Sequence, residues 1–269
     1  MNISPPLPKE HGSWAMLIVP LLLGLFVAPA WHGRALILLT AALGFFLTRY
    51  PLVVLVKTRK RPTADRAYLW RWAAIYGVIT VLCGGWLVLM HQLVWLAVIG
   101  LFGAGLLLFN LWLVSRRQEL SLPGELTGIA GLALGAPMAY YAASGQLDST
   151  AALLGLINFL YFGGTVFYIK LKVRQQPRLP APERVGERLV KAKACLAYQT
   201  AALTLLVALA VLRWTPLFLP LAFIPVTVKM VYGAWHWQDK KSLSLVRLGL
   251  AEIAHAVVFA GLVSVIFVS

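Results

Sequence analysis

Acidic residues are scarce in this 269-residue chain. Nine Asp and Glu stand against 24 Lys and Arg, and charged residues of both signs make up only 12%. A soluble domain carries roughly 25% charged residues. With 60% of the sequence hydrophobic and a mean hydropathy of +0.80, no water-soluble core could hide this much apolar side chain. Two cysteines, Cys83 and Cys195, are too few for a secreted disulfide scaffold. Both fall in apolar runs, where a thiol packs as a small hydrophobe. Apolar runs such as 21–27 exclude a disordered chain. No nucleophilic triad and no ATP-binding loop can be assembled from the polar residues that remain.

What is present is long apolar sequence. About 20 mostly apolar residues cross the roughly 30 Å of hydrocarbon in a bilayer. Nine such spans are predicted, at about 14–30, 35–56, 72–90, 94–114, 126–143, 151–171, 194–212, 217–232 and 248–268. All but four of the cations lie before the first span or about the connections that follow the even-numbered ones. Arg34 and Arg213 fall in the opposite loops, and Arg49 and Lys229 within spans. Lys/Arg bias of this kind sets orientation, which puts the N-terminus in the cytoplasm and the C-terminus outside. The net charge of +15 is thus explained by topology. Nucleic acid is not expected as a partner, because the cations lie in loops without interleaved stacking aromatics. The expected fold is all-α: one polytopic transmembrane helix bundle over 1–269, with its elaborated face toward the cytoplasm. Ala28-Pro29-Ala30 offers an alternative, the cleavage site of a signal peptide. Lys9 beside Glu10 makes a weak n-region for one, and the first span is read as retained.

The connection 172–193 begins with Gln175-Gln176-Pro177 and Pro180-Ala181-Pro182, which reads as non-helical. From 183 to 193 mixed charges at helical spacing predict a short surface helix. The small-residue runs Gly100-x-x-Gly103-x-Gly105 and Gly128 to Gly135 read as surfaces of close helix approach.

Polar residues inside the spans are the functional candidates. A central Arg costs about 2.5–3.5 kcal/mol on insertion scales, so Arg49, just before the kink expected at Pro51, is either functional or snorkels to the interface. Lys229 reads as snorkelling. Glu252 and His255 lie three apart, on one face of the last span. Glu-x-x-His is half of a carboxylate-bridged metal arrangement, but the second half is lacking, with Glu10 and His11 the only other candidates at that depth. A Glu–Arg or Glu–His pair closing the bundle is the simpler reading, and no metal or other cofactor is expected. Arg49 and Glu252, with His11 or His255, are expected to face one cavity open to the cytoplasm. Asn110 and Asn158 are interhelical hydrogen-bonding groups, worth about 0.6 kcal/mol each.

Two resemblances sharpen this. The opening Pro8-Lys9-Glu10-His11-Gly12-Ser13-Trp14-Ala15-Met16 resembles the YwiC-like family of uncharacterised bacterial membrane proteins. Nine spans, Lys57-Thr58-Arg59-Lys60-Arg61-Pro62, Ser121-Leu122-Pro123-Gly124-Glu125-Leu126, and Asn158-Phe159-Leu160 through Gly164-Thr165 to Tyr168 resemble the UbiA superfamily of intramembrane prenyltransferases. That superfamily binds Mg²⁺ and an allylic diphosphate through two aspartate clusters. This chain has no acid at 33–64 and none at 151–182, and a hard cation needs oxygen ligands. The resemblance therefore implies a UbiA-like fold without the magnesium chemistry. It further implies a bacterial inner-membrane protein whose partner is an anionic or isoprenoid lipid. Arg49, Arg61 and Lys170 would hold phosphate oxygens, and Phe45, Phe109 and Tyr168 would line the tail. Glu10, His11, Asn110, Asn158, Glu252 and His255 complete the polar set. A transporter of a small solute or lipid is the alternative, suggested by the intramembrane charges and by Pro137, Pro220 and Pro225; no internal repeat supports it. A prenyltransferase with a non-standard site and a purely structural subunit are the remaining readings.

Overall fold

In lipid, every backbone N–H and C=O must find its partner within the chain, which leaves an apolar run the helix as its conformation. The computed structural model describes residues 5–8, 11–30, 32–59, 66–237 and 244–268, with His11 by its backbone alone. Among these residues the chain is all helical and has no strand. The order is α1 (His11–Val27), α2 (Arg34–Lys57), α3 (Arg66–Met90), α4 (Val94–Ser115), α5 (Leu122–Ala133), α6 (Gly135–Ser144) and α7 (Ser149–Ile169). A π turn (Lys170–Gln175), α8 (Val185–Lys191), α9 (Lys193–Val211), a 3-10 turn (Leu219–Phe223), α10 (Ile224–Trp235) and α11 (Leu245–Val268) follow.

Seven stretches are long and apolar enough to cross a membrane: α2, α3, α4, Leu122–Ser144, Ser149–Gln175, α9 and α11. Two shorter apolar helical stretches, Gly12–Val27 and Leu219–Trp235, coincide with the first and eighth predicted spans. By its contacts the chain divides into two compact units, Met1–Leu156 and Ile157–Ser269, the division falling inside α7.

In the first unit α2 and α3 make the most extensive contact, and α1 lies against α6. Both seams are built on small residues, which let backbones approach where lipid supplies no hydrophobic drive. Ala41 and Gly44 of α2 are buried against α3, and the Thr80 hydroxyl donates to the Tyr76 carbonyl at 2.9 Å and to that of Ala41 at 3.3 Å. On α1, a side chain at Gly24 would run into the Ala136 carbonyl. The facing Ala136 and Ala139 are fully buried.

Four sequence expectations need correction. Gly100, Gly105, Gly128 and Gly131 have nothing within 4 Å of a Cβ position. Leu101, Phe102 and Leu108 beside the first two are exposed. Glycine permits close approach but does not compel it: within the two runs only Gly135 is tight, a Cβ there lying 3.2 Å from Leu21, and the other tight positions are Gly24, Gly44, Gly124, Gly164 and Gly233. The fifth span is two helices broken at Leu134, because Pro137 has no N–H for the Ala133 carbonyl. The eighth opens as a 3-10 turn containing Pro220. The connection after the sixth span stays helical to Gln175, the π turn closing with Gln176 N–H on the Leu171 carbonyl at 3.0 Å. Only then does the Pro-rich loop begin. The short charged helix predicted after it is α8.

Candidate functional site

The second unit is held by an aromatic layer. Tyr161 of α7 stacks on Phe259 of α11 with centroids 4.0 Å apart, and Phe223 packs edge-on to both. The contacts then run in register. Along α7, Tyr161, Gly164 and Tyr168 meet Phe223, Met230 and Gly233, so α7 and α10 run the same way. Phe223 meets Phe259 and Lys229 meets Glu252, so α11 runs against α10. Gly164 makes this possible: a Cβ there would lie 2.9 Å from the Met230 methyl and 3.2 Å from Gln199 Oε1.

Between these helices lies an ion pair. The Lys229 ammonium donates to both oxygens of Glu252, at 2.8 and 2.7 Å, and sits over the Tyr168 ring at 4.8 Å. The two side chains are 9% and 11% exposed. Lys229 therefore does not snorkel. The sequence had pointed to Arg or His as the partner of Glu252, and the structure supplies Lys229 instead. The reason is depth. Lys229 stands six residues before the end of α10 and Glu252 seven after the start of α11, about 9 and 10 Å along the two axes. Matching the depths of opposite charges is the signal in the sequence that would have found the pair. Gln199 of α9 extends the polar core, donating to the Thr227 hydroxyl at 2.6 Å.

Cations gather where α10 ends. Lys172 donates to the Gly233 carbonyl at 3.1 Å, and Arg188 to those of Trp235 at 3.2 Å and Pro182 at 3.0 Å. Lys191 donates to the Pro180 carbonyl at 2.9 Å and lies over the Trp237 ring. Positive side chains suit the carbonyl end of a helix dipole. Among the described residues one of three donors is used on Lys172 and two of five on Arg188, which leaves donors over for another acceptor.

In the first unit Arg49 Nε donates to Asn110 Oδ1 at 3.3 Å, and Asn110 Nδ2 donates to the Gly124 carbonyl at 2.9 Å. This ties α2, α4 and α5 together, with Asn110 in the interhelical role expected of it. Near the same ends Lys57 pairs with Glu119 at 2.8 Å. Arg34, at the start of α2, donates to the Ala143 carbonyl near the end of α6 at 2.9 Å.

Of the site residues expected from sequence, Glu10 and Arg61 lie outside the described residues, as does the side chain of His11. Arg49 and Asn110 come together in the first unit. Tyr168, Lys170, Asn158, Glu252 and His255 all belong to the second, so Arg49 and Glu252 each have a partner within their own unit. Asn158 is fully buried. The His255 ring points Nδ1 back to the Ala251 carbonyl of its own helix at 2.7 Å. Phe109 is exposed and stacks on Trp112; Phe45 is half-buried. Cys195 is buried and free, Cys83 half-buried and free. Among the described residues no three His, Cys, Asp or Glu come together as metal ligands.

Seven stretches long and apolar enough to cross a membrane, and a charge pair held between helices, define the class, a polytopic helical membrane protein. Residues 7–140 match the sequence model of the YwiC-like protein family, and the chain belongs to that family. It is 28% identical over 174 residues to the uncharacterised protein YwiC of Bacillus subtilis, covering 63% of this chain and 68% of that one. With an uncharacterised protein of Haemophilus influenzae it shares 26% identity over 253 residues, 93% of this chain and 94% of the other. No solved structure matches the chain.

Proposed function

We propose that the protein binds an anionic amphiphile of the bacterial inner membrane, a phospholipid or an isoprenoid phosphate. It would do so from the cytoplasmic side and without a metal, on a UbiA-like scaffold that lacks prenyl-transfer chemistry. The observation that supports this reading is the gathering of Lys172, Arg188 and Lys191 about the end of α10, one turn beyond intramembrane Lys229. Lys170 and Arg174 are half-buried on the same π turn. A π turn inserts an extra residue into a helix and recurs at functional sites. Each cation near an anionic surface is worth about 1 kcal/mol, so specific binding must exceed that generic attraction.

Native mass spectrometry of the gently extracted protein provides the test. A retained anionic lipid is expected, unaffected by Mg²⁺ or a chelator. Its occupancy should fall several-fold more in Lys172→Ala/Arg174→Ala than in Arg178→Ala, which removes an exposed loop charge. Equal losses would show the membrane surface being measured instead of a site. Magnesium-dependent prenyl transfer by the purified protein would overturn the metal-free reading. Transport of a small solute or lipid is the second reading, favoured by the Lys229–Glu252 pair, since intramembrane charges mark substrate and proton pathways.

A further inference from the structure

Three features of the second unit bear on one another. The Lys229–Glu252 pair is nearly closed off, and a buried ion pair is weak grounds for stability, because desolvation offsets most of the attraction. Tyr161 is 1% exposed, and its hydroxyl has no hydrogen-bond partner among the described residues. A buried polar group of that kind calls for an explanation, and Tyr161 lies within electrostatic range of Glu252. Phe223 and Phe259, which pack on Tyr161, are apolar and fully buried, surroundings that suit a hydrocarbon tail.

We propose that Lys229 and Glu252 form an exchange site for one proton and one singly charged amphiphilic anion. In the exchange a proton adds to a Glu252 carboxylate oxygen and breaks the ion pair. Lys229 keeps its three protons and its charge, and an oxygen of the anion takes the place that Glu252 held. The Tyr161 hydroxyl is free to donate a hydrogen bond within the rearranged core. Proton and anion enter together, so the site remains neutral before and after. Other titratable or charged groups face Glu252 from each neighbouring element. They are Tyr161 and Tyr168 on α7, Cys195 on α9 and Lys229 on α10; Lys172 on the π turn stands one ring further, over Tyr168. On α11 itself His255 is one turn away, engaged with Ala251. Glu252 is the acid in direct contact with the ammonium, so it is the group whose protonation frees Lys229.

This inference rests on the reading of the second unit as an anion-binding unit, and the test separates the two. The full chain in nanodiscs of phosphatidylcholine is titrated with lysophosphatidylglycerol, whose phosphodiester stays singly charged from pH 6 to 8. Lysophosphatidylcholine is the zwitterionic control. One-proton linkage predicts that affinity for the anionic lipid rises by up to about tenfold for each unit of falling pH. Glu252→Gln should bind at the low-pH level throughout, without a slope. Lys229→Met should bind at least tenfold more weakly at every pH. Should Lys229→Met not fold, Lys229→Met/Glu252→Gln removes both charges and should likewise lose the anion. A pH-independent affinity in the wild type, or a slope kept by Glu252→Gln, would overturn the exchange and leave the lipid reading standing. Absence of any preference for the anionic over the zwitterionic lipid would overturn both.

Discussion

At the scale of single residues, Lys229 and Glu252 make the sharpest stability statement in the molecule. Removing one partner strands the other as an unpaired charge among apolar helices, which costs about 3–5 kcal/mol. Removing both does not strand a charge. Glu252→Ala is therefore expected to lower the thermal unfolding temperature in detergent markedly, and Lys229→Met/Glu252→Leu to recover most of the loss. A double variant as damaged as the sum of the singles would show that the two groups are not coupled. Asn110 works differently, as a neutral hinge between an Arg and a backbone carbonyl, and its loss leaves no buried charge to compensate.

At the scale of helices, the contrast is between glycines that are packed and glycines that are not. A methyl group at Gly233 would meet the Tyr168 ring at 2.6 Å and Lys172 Cε at 3.1 Å, so α10 would have to move away from the π turn. Gly233→Ala and Gly164→Ala are expected to destabilise by about 1–3 kcal/mol, the usual range for overpacking. Gly105→Ala meets nothing and should change stability by no more than about 0.5 kcal/mol. Unfolding temperatures of the three variants in one detergent decide the point, and a damaging Gly105→Ala would contradict the packing. Because Gly233 touches both Tyr168 and Lys172, its substitution should also reduce lipid retention, whereas Gly44→Ala would act on stability alone through the α2–α3 seam.

For the whole chain, the distribution of charge makes a topological prediction. Lys170, Lys172, Arg174, Arg178, Arg184, Arg188, Lys191 and Lys193 crowd one connection, and the positive-inside bias assigns it to the cytoplasm. A tag inserted within 175–185 should be reached only from the cytoplasmic side, and one on the C-terminus only from outside. The reverse pattern would invert every statement about the side from which a ligand enters. The same experiment counts crossings after 185, since the short helical stretch Leu219–Trp235 must span along with α9 and α11 for the two tags to differ.

Helix type, helix position and the basic connections were legible in the sequence alone, because apolar length and turn residues act within a few residues of themselves. The nine predicted spans coincide with seven long helical stretches and two short ones, and Arg49, Asn110 and Glu252 stand out because polar groups are costly in hydrocarbon. Pairing was not legible. Lys229 and Glu252 are 23 residues apart on different helices, and nothing local distinguishes a lysine that snorkels from one that meets a carboxylate. The same holds for Gly105 and Gly164, alike in composition of their surroundings and opposite in contact. Local sequence determines which segments lie in lipid; only the packing of one helix on another decides which of their polar groups and glycines meet, because that depends on register between segments distant along the chain.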